Sequence, residues 1–368
     1  MKLKILYISV RADYGGGTKH LDQLISNLYQ TYEIYCASPI EKPFGVEWKK
    51  RLTENKFVEL PHRKFSLSAF NNVRKLIKNE KIRIIHAHGK GGALYGRLLK
   101  IFFPKVKVVF TMNGFHIDRY SKITKPLFIF YERMLSKLTD IFITVSKGEQ
   151  ELCIKNKIYS KEKSILIYNA IENKNDLILD KSELRERLSI DQNKFVIITL
   201  TRFDYQKNMM ESLLIAQKLL KDKSIIFIWI GDGQEKQIIE EQLNIKKINN
   251  VIMTGYQQNT FDYLYASDLY LSTARWEGMP YSLIEACSAG IPIVASNVVG
   301  NNEAVLNGFN GYVFNLNEVD TAVSLIKSLK QNLIERSKFA MNSIKLFENN
   351  FQINKMIEKT IQVYQNLY

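Results

Sequence analysis

Glu277-Gly-Met-Pro-Tyr-Ser-Leu-Ile-Glu285 leads directly into Ala-Cys-Ser-Ala-Gly290-Ile-Pro-Ile-Val-Ala295, and the fold is read outward from this stretch. Pro280 suits the opening of a helix, where its missing N–H and fixed φ cost nothing. The apolar Pro292–Ala295 run after Gly290 reads as a strand, so helix and strand alternate as in an α/β sheet. In such a helix Glu285 falls in the second turn, facing the direction from which Glu277 enters. The backbone N–H groups of Tyr281, Ser282 and Leu283 have no helical partners and point at the same space. Phosphate suits those groups and the positive end of the helix dipole. A carboxylate only accepts hydrogen bonds, so it suits a pair of neighbouring hydroxyls. Gly278, Met279, Pro280, Tyr281, Ser282 and Glu285 are therefore candidates to bind a nucleotide-sugar, with Glu277 beside them. Two glutamates on a helix are more often solvated surface, and the company the motif keeps decides between the readings.

The chain has 368 residues, too many for one ordinary core, which implies two domains. A hydrophobic content of 46% with interspersed charge is that of a globular protein. No apolar run reaches the ~18 residues a membrane helix needs. The first ten residues read as a strand rather than a signal peptide, since Arg11 and Asp13 follow without a cleavage pattern. Cys36, Cys153 and Cys287 are odd in number and far apart, which argues against disulfides and zinc. A cytoplasmic protein is expected. Residues 1–170 carry 31 Lys and Arg against 14 Asp and Glu, whereas residues 171–368 carry 21 against 23. The basic half therefore faces its own partner, an anionic membrane surface or nucleic acid. No helix-turn-helix, zinc or RNA-binding signature accompanies the charge, so nucleic acid is not expected.

Strands are expected at Lys4–Ser9, Glu33–Ala37, Arg83–Ala87, Lys107–Thr111, Asp140–Val145 and Ser164–Tyr168. A helix over Thr18–Tyr29 repeats Leu21, Leu24, Ile25 and Leu28 at helical spacing, and others open at Ser66 and at the capping pair Ser146 and Glu149. Residues 172–194 are charged and Asn-rich and read as a linker between a domain at 1–171 and one at 195–348. The second domain restarts at Phe195–Thr201, with a helix from about Asn208 and strands at Ser224–Ile230, Val251–Thr254, Asp268–Ser272 and Pro292–Ala295. The pattern implies two doubly wound parallel sheets, which take ligands at strand carboxyl ends. The last helix, in residues 349–368, carries an apolar stripe from Ile353 to Tyr368 and is expected to dock back toward the first domain.

Strand ends hold the remaining candidates. Gly15, Gly16 and Gly17 follow the first strand, where glycine lets a ligand approach the backbone, although the spacing is not the dinucleotide fingerprint. Arg202 and Lys207 follow the first strand of the second half, where a guanidinium fork and a mobile ammonium can converge on one anion. Gly231-Asp-Gly233 reads as a tight turn. His86 and His88 lie where a strand ends near Ala87, which leaves their relative direction open. No carboxylate or Cys stands at ligand spacing from them, so no metal is expected. Asn113 and His116 lie at the next strand end, beside Gly114.

Taken in order, Gly15-Gly16-Gly17, His86-Ala-His88-Gly-Lys90, Val145-Ser146, Asn169, Arg202 with Lys207, Gly231-Asp-Gly233, Gly255-Tyr256 and Glu277-Gly-x-Pro…Glu285 span nearly the whole chain. This set resembles the retaining glycosyltransferases of family 4, the glycosyl transferases group 1, and most of all members that build bacterial capsule, O-antigen or exopolysaccharide. The resemblance implies an α/β GT-B fold of two Rossmann-like doubly wound parallel-sheet domains with the site in the cleft between them. It implies that Glu285 holds the ribose, Glu277 the donor sugar's hydroxyls, Arg202 and Lys207 the diphosphate, and that Gly16 lets the donor approach. The reaction is then front-face substitution with retention, without the close carboxylate pair of retaining glycosidases. No cofactor or metal is called for, and a UDP-sugar is favoured over a GDP-sugar. Where many relatives have His in a Thr-x-His-Gly pattern this chain has Asn113, so either His116 supplies the imidazole or an amide suffices. The acceptor implied is a glycan or isoprenoid-diphosphate-linked saccharide at the anionic inner membrane face, with residues 119–137 mixing cations and aromatics as an interfacial helix does. Two other classes stand beside this reading: a nucleotide-sugar epimerase of similar two-domain fold, and a non-enzymatic basic binding protein.

Overall fold

The computed structural model describes residues 2–115, 117, 120–173 and 180–368. They form two compact units, Met1–Asn169 with Asn354–Tyr368, and Ala170–Ile353. The strands of unit 1 are β1 (Lys4–Ser9), β2 (Glu33–Ser38), β3 (Phe57–Glu59), β4 (Ile84–His88), β5 (Lys107–Thr111), β6 (Ile141–Thr144) and β7 (Ser164–Leu166). Its helices are α1 (Gly16–Leu28), α2 (Phe44–Leu52), α3 (Leu67–Glu80), α4 (Gly89–Phe102), α5 (Thr124–Ser136) and α6 (Lys147–Lys155).

These strands pair in parallel in the order β3-β2-β1-β4-β5-β6-β7. The order reverses between β1 and β4, so the loops leaving those strands flank the switch point of a doubly wound sheet. On one face Leu6, Ile8 and Ile85 pack with Val73, Tyr95 and Leu99 of α3 and α4. β4 runs one residue further than expected, because His88 is still in register with Ser9 of β1 and Thr111 of β5. His86 and His88 consequently share a face, their ring centroids 4.3 Å apart. β3 was not foreseen; three residues carry too little alternation to read.

Unit 2 contains α7 (Lys181–Arg187), β8 (Phe195–Leu200), α8 (Met209–Lys218), β9 (Ile225–Ile230), α9 (Lys236–Ile245), β10 (Val251–Gly255), α10 (Thr260–Tyr265) and β11 (Leu269–Ser272). It continues with α11 (Tyr281–Ser288), β12 (Ile293–Ser296), α12 (Asn301–Ala304), β13 (Gly311–Phe314), α13 (Val319–Gln331) and α14 (Leu333–Asn350). Six parallel strands lie in the order β10-β9-β8-β11-β12-β13, with the reversal between β8 and β11. Phe227, Trp229 and Leu271 meet Met209, Leu213, Ile326 and Phe339 in its core. Within the stretch read as a linker, α7 is a docked helix. Asp180 caps it by accepting from the Ser182 N–H, and buried Arg185 donates to the Ala266 carbonyl at 2.9 Å and to Asp268 at 2.8 Å. Seven residues held by polar contacts give no apolar period to detect. The last helix, α15 (Ile353–Leu367), brings Tyr364 into unit 1, where its hydroxyl lies 2.6 Å from His86 Nδ1 and 3.0 Å from the Tyr7 hydroxyl.

Candidate active site

In unit 2 the candidate residues gather where the strand order reverses. The loop after β8 is anchored by fully buried Phe203, whose N–H donates to the Asp232 carbonyl at 3.0 Å. Gly231 makes this crossing possible: its φ is +138°, and a Cβ there would lie 1.8 Å from the Thr201 carbonyl oxygen. At the other end of the loop the Thr273 hydroxyl, on the segment leaving β11, lies 3.1 and 3.0 Å from the carbonyl oxygens of Lys207 and Asn208. The two loops are thereby stitched together, and Lys207 Nζ sits 2.5 Å from Glu277 Oε1. Gln206 donates to the Trp276 carbonyl at 2.9 Å and lies 3.4 Å from the second Glu277 oxygen. Glu277 is only 7% exposed, so this ion pair is largely removed from water. Arg202 is half-exposed and paired with Asp204 of its own loop, and reaches Gln206 Oε1 at 3.5 Å.

Pro280 precedes α11, which puts Glu285 in the second turn. One detail differs from the sequence reading. The Leu283 N–H is not unpaired; it donates to the Pro280 carbonyl at 3.2 Å, a tightened first turn. Met279 and Tyr281 bury their side chains, so what they can offer a ligand is backbone. Beneath the helix start, the Tyr270 hydroxyl accepts from the Leu200 N–H at 3.1 Å and donates to the Leu200 carbonyl at 3.0 Å. Burial raises its pKa, and the charges of Glu285 and Glu277 push it the same way, so both carboxylates lie within electrostatic reach of one hydroxyl. This corner of unit 2 can therefore present a held carboxylate, a second carboxylate, a helix start and two cations.

In unit 1, Gly17 lies against the side chain of Asn113; a Cβ on Gly17 would stand 3.2 Å from Asn113 Nδ2. Asn113 and Gly114 have φ values of +55° and +110°, a left-handed pair that aims the amide at the start of α1. Asn113 Oδ1 is buried with no hydrogen-bond partner among the described residues. His116 lies outside the described residues. Next to the glycines, Arg11 grips Asp13 through two bonds of 2.8 and 2.9 Å.

Below this loop three histidines pack together. His20 Nδ1 lies 2.9 Å from Asn169 Oδ1, and His86 Nε2 lies 2.7 Å from the Thr111 hydroxyl. Burial depresses the pKa of all three, that of His20 to about 4, so they are neutral at pH 7. Lys90, in the same motif, donates to the Tyr120 hydroxyl at 3.0 Å and rests 4.1 Å over the Phe128 ring. Among the described residues one group could offer three ligand atoms to a metal, Asp13, Glu41 and His62, within 4.8 Å of one another. Asp13 is already held by Arg11 and lies 3.6 Å from Arg63, and two guanidinium groups oppose a cation there.

Sequence reasoning missed Gln206 and Thr273, which act on Lys207 and Glu277 from sequence-distant or unremarkable positions. It also missed the reach of Glu149. That carboxylate accepts from the N–H groups of Val145 at 2.9 Å and Gly114 at 2.7 Å, the second of them 35 residues away.

Comparison with known proteins follows the same division. Residues 14–174 match the family model described as Glycosyltransferase Family 4, and residues 180–346 match that described as Glycosyl transferases group 1. A UDP-Gal:alpha-D-GlcNAc-diphosphoundecaprenol alpha-1,3-galactosyltransferase of Escherichia coli is 29% identical over 302 residues, 79% of this chain and 77% of the relative. An uncharacterized 41.2 kDa protein in the cps region of Klebsiella pneumoniae is 28% identical over 81% of this chain and 83% of its own. The solved structure of Anabaena Alr3699/HepE in complex with UDP and glucose superposes with a TM-score of 0.85 at 18% identity, covering 99% of this chain and 100% of that one. At that identity the likeness establishes the fold.

Proposed function

The chain belongs to the GT-B glycosyltransferases of family 4 and group 1, and from that premise we propose that it transfers a hexose or N-acetylhexosamine from a UDP-sugar to a hydroxyl of a glycan or lipid-linked saccharide in surface polysaccharide synthesis. The observation that carries the proposal is the buried Glu277 carboxylate, held by Lys207 and Gln206 at the switch point of unit 2 beside the start of α11. An acceptor-only group fixed in place suits the hydroxyls of a sugar. Lys207 spends one of its three donors on Glu277 and keeps two for a diphosphate oxygen. Arg202, exposed on the same loop, has donors to spare beyond Asp204. Glu285 takes the ribose. The E. coli relative named for UDP-Gal supports UDP as the carrier, and its diphosphoundecaprenol acceptor supports a lipid-linked saccharide.

In this reading the acceptor oxygen forms its bond to the anomeric carbon on the face from which the diphosphate leaves, and the acceptor proton passes to the departing diphosphate. Configuration is retained. Arg202 and Lys207 stabilise the negative charge that grows on the leaving group, a task a protein cation can perform without a metal. Asn113 and His116 are assigned to the reacting sugar and Gly15, Gly16 and Gly17 to its close approach, on the strength of Asn113 lying against Gly17.

We further place the enzyme at an anionic membrane surface. None of the described helices is long and apolar enough to cross a membrane. Helix α5 packs Phe128 and Ile129 against the core and buries Glu132, paired with Arg97 at 2.9 Å, while Leu127, Phe130, Tyr131 and Met134 form an exposed apolar stripe. Lys122, Arg133 and Lys137 flank the stripe and lie exposed, the composition of an interfacial helix. A thermal-shift panel of UDP-, GDP-, ADP- and dTDP-sugars tests the donor assignment, since a ligand that binds only the folded state raises its melting temperature. A shift by a UDP-sugar that vanishes in Glu285→Ala supports the proposal; equal shifts in that variant, or a shift by another nucleotide alone, overturn it.

A further inference from the structure

The structure assigns to Glu149 the task of positioning Asn113, a role that rests on the glycosyltransferase reading of Asn113 above. Glu149 is 1% exposed, and its two oxygens accept from different pieces of backbone. Oε1 takes the Gly114 N–H at 2.7 Å, and Oε2 takes the Val145 N–H at 2.9 Å. Its own N–H donates to Ser146 Oγ at 3.2 Å, which seats the residue in the first turn of α6. A charge buried this deeply is retained where strong donors and a helix start repay its desolvation.

An ordinary helix cap would be local, but this contact spans 35 residues and ends on the peptide next to Asn113. Asn113 at φ +55° and Gly114 at φ +110° form a left-handed pair that both residue types tolerate, so the local sequence permits the turn and the Glu149 bond fixes it. The amide so presented lies against Gly17, and its Oδ1 has no hydrogen-bond partner among the described residues. Glu149 thus joins three sequence motifs that nothing local would connect: the glycine triplet, the Asn113-Gly114 turn and the Val145-Ser146 helix start. It is a positioning residue, acting on substrate through Asn113.

The test compares wild type, Glu149→Gln, Asn113→Ala and the double variant. Glu149→Gln replaces one accepting oxygen with an NH2 group that faces an N–H. Hydrogen exchange of the peptide covering residues 110–115 is followed by mass spectrometry, and turnover is followed as UDP released from UDP-galactose in the presence of a short-chain GlcNAc-diphosphate lipid. Loss of one charge-assisted hydrogen bond predicts roughly tenfold faster exchange in that peptide, with the β1 and β2 peptides unchanged. Turnover falls by about tenfold or more with the donor KM moving less than about threefold, and Glu149→Gln adds less than about twofold once Asn113 is already Ala. Equal losses in both backgrounds, or unchanged exchange at residues 110–115, overturn the proposal. If Glu149→Gln does not fold, Glu149→Asp keeps the charge but is too short to reach both N–H groups, and the same criteria apply. Inactivity of the wild type on every nucleotide-sugar would refute the transferase reading, while the exchange arm would still judge the hold on the Asn113 turn.

Discussion

Separating the ion pair of Lys207 and Glu277 is the most informative perturbation. Their 2.5 Å contact joins side chains that are 20% and 8% exposed. Exposed pairs contribute about 0–1 kcal/mol, whereas removing one partner of a fully buried pair costs about 3–5 kcal/mol. This pair lies between, nearer the buried limit, because Lys207→Met leaves Glu277 with the 3.4 Å contact of Gln206 and little water. We expect Lys207→Met and Glu277→Gln each to cost about 2–3 kcal/mol, or roughly 5–10 °C in the melting of unit 2. The double variant removes both charges together and should recover about 1–2 kcal/mol of the summed loss, a coupling that urea melts of all four proteins measure directly. Turnover should be lost in all three variants, since catalysis needs the charges and stability needs only that they match. Strict additivity of the two stability losses, or singles as stable as wild type, would refute the reasoning.

Arg202→Ala should separate the two effects, because among the described residues its half-exposed guanidinium pairs within its own loop; stability should change by less than about 0.5 kcal/mol while turnover falls about a hundredfold or more, read from melts and UDP release. Acid should destabilise unit 1 through its histidines. His20 titrates at 6.5 when unfolded but is held down to about 4 by burial, so the unfolded chain binds the extra proton and stability is lost as pH falls from 6.5 toward 4, by about 3 kcal/mol. His86 and His88 act in the same direction, and His20→Gln should flatten the dependence in urea melts taken across that window. Leu127→Glu with Phe130→Glu on α5 should reduce sedimentation with phosphatidylglycerol vesicles at least about tenfold without altering activity on a soluble acceptor; undiminished binding would remove α5 from the membrane account.

The fold was legible where periodicity is long or its punctuation sharp. β1 and β5 fall on their expected boundaries, because three of six residues in β1 and four of five in β5 are β-branched or aromatic and the runs end in a polar stretch or a glycine turn. β3 and α7 were invisible for the opposite reason, being short and held by pairing or by Arg185 rather than by an apolar pattern. Within the candidate site, the residue types and their place at strand ends could be read. Their partners could not. Lys207 and Glu277 are 70 residues apart, and only the reversal of strand order between β8 and β11 makes them neighbours. The same holds for Glu149: its spacing from Ser146 suggested a cap, while its second bond depends on the pairing of β5 with β6, which brings residue 114 alongside residue 145. Leu283 shows the limit at a single bond, since whether a first-turn N–H is spent on a tightened turn is set by backbone detail that no residue type encodes.

Product analysis tests the central claim most directly. The protein is incubated in EDTA with UDP-galactose or UDP-N-acetylglucosamine and a short-chain GlcNAc-diphosphate lipid, and UDP and the new anomeric proton are followed by NMR. The account predicts UDP release only when acceptor is present, and a new linkage of the same α configuration as the donor. Consumption of donor without acceptor, a β linkage, or activity that appears only when a divalent metal is restored would contradict it.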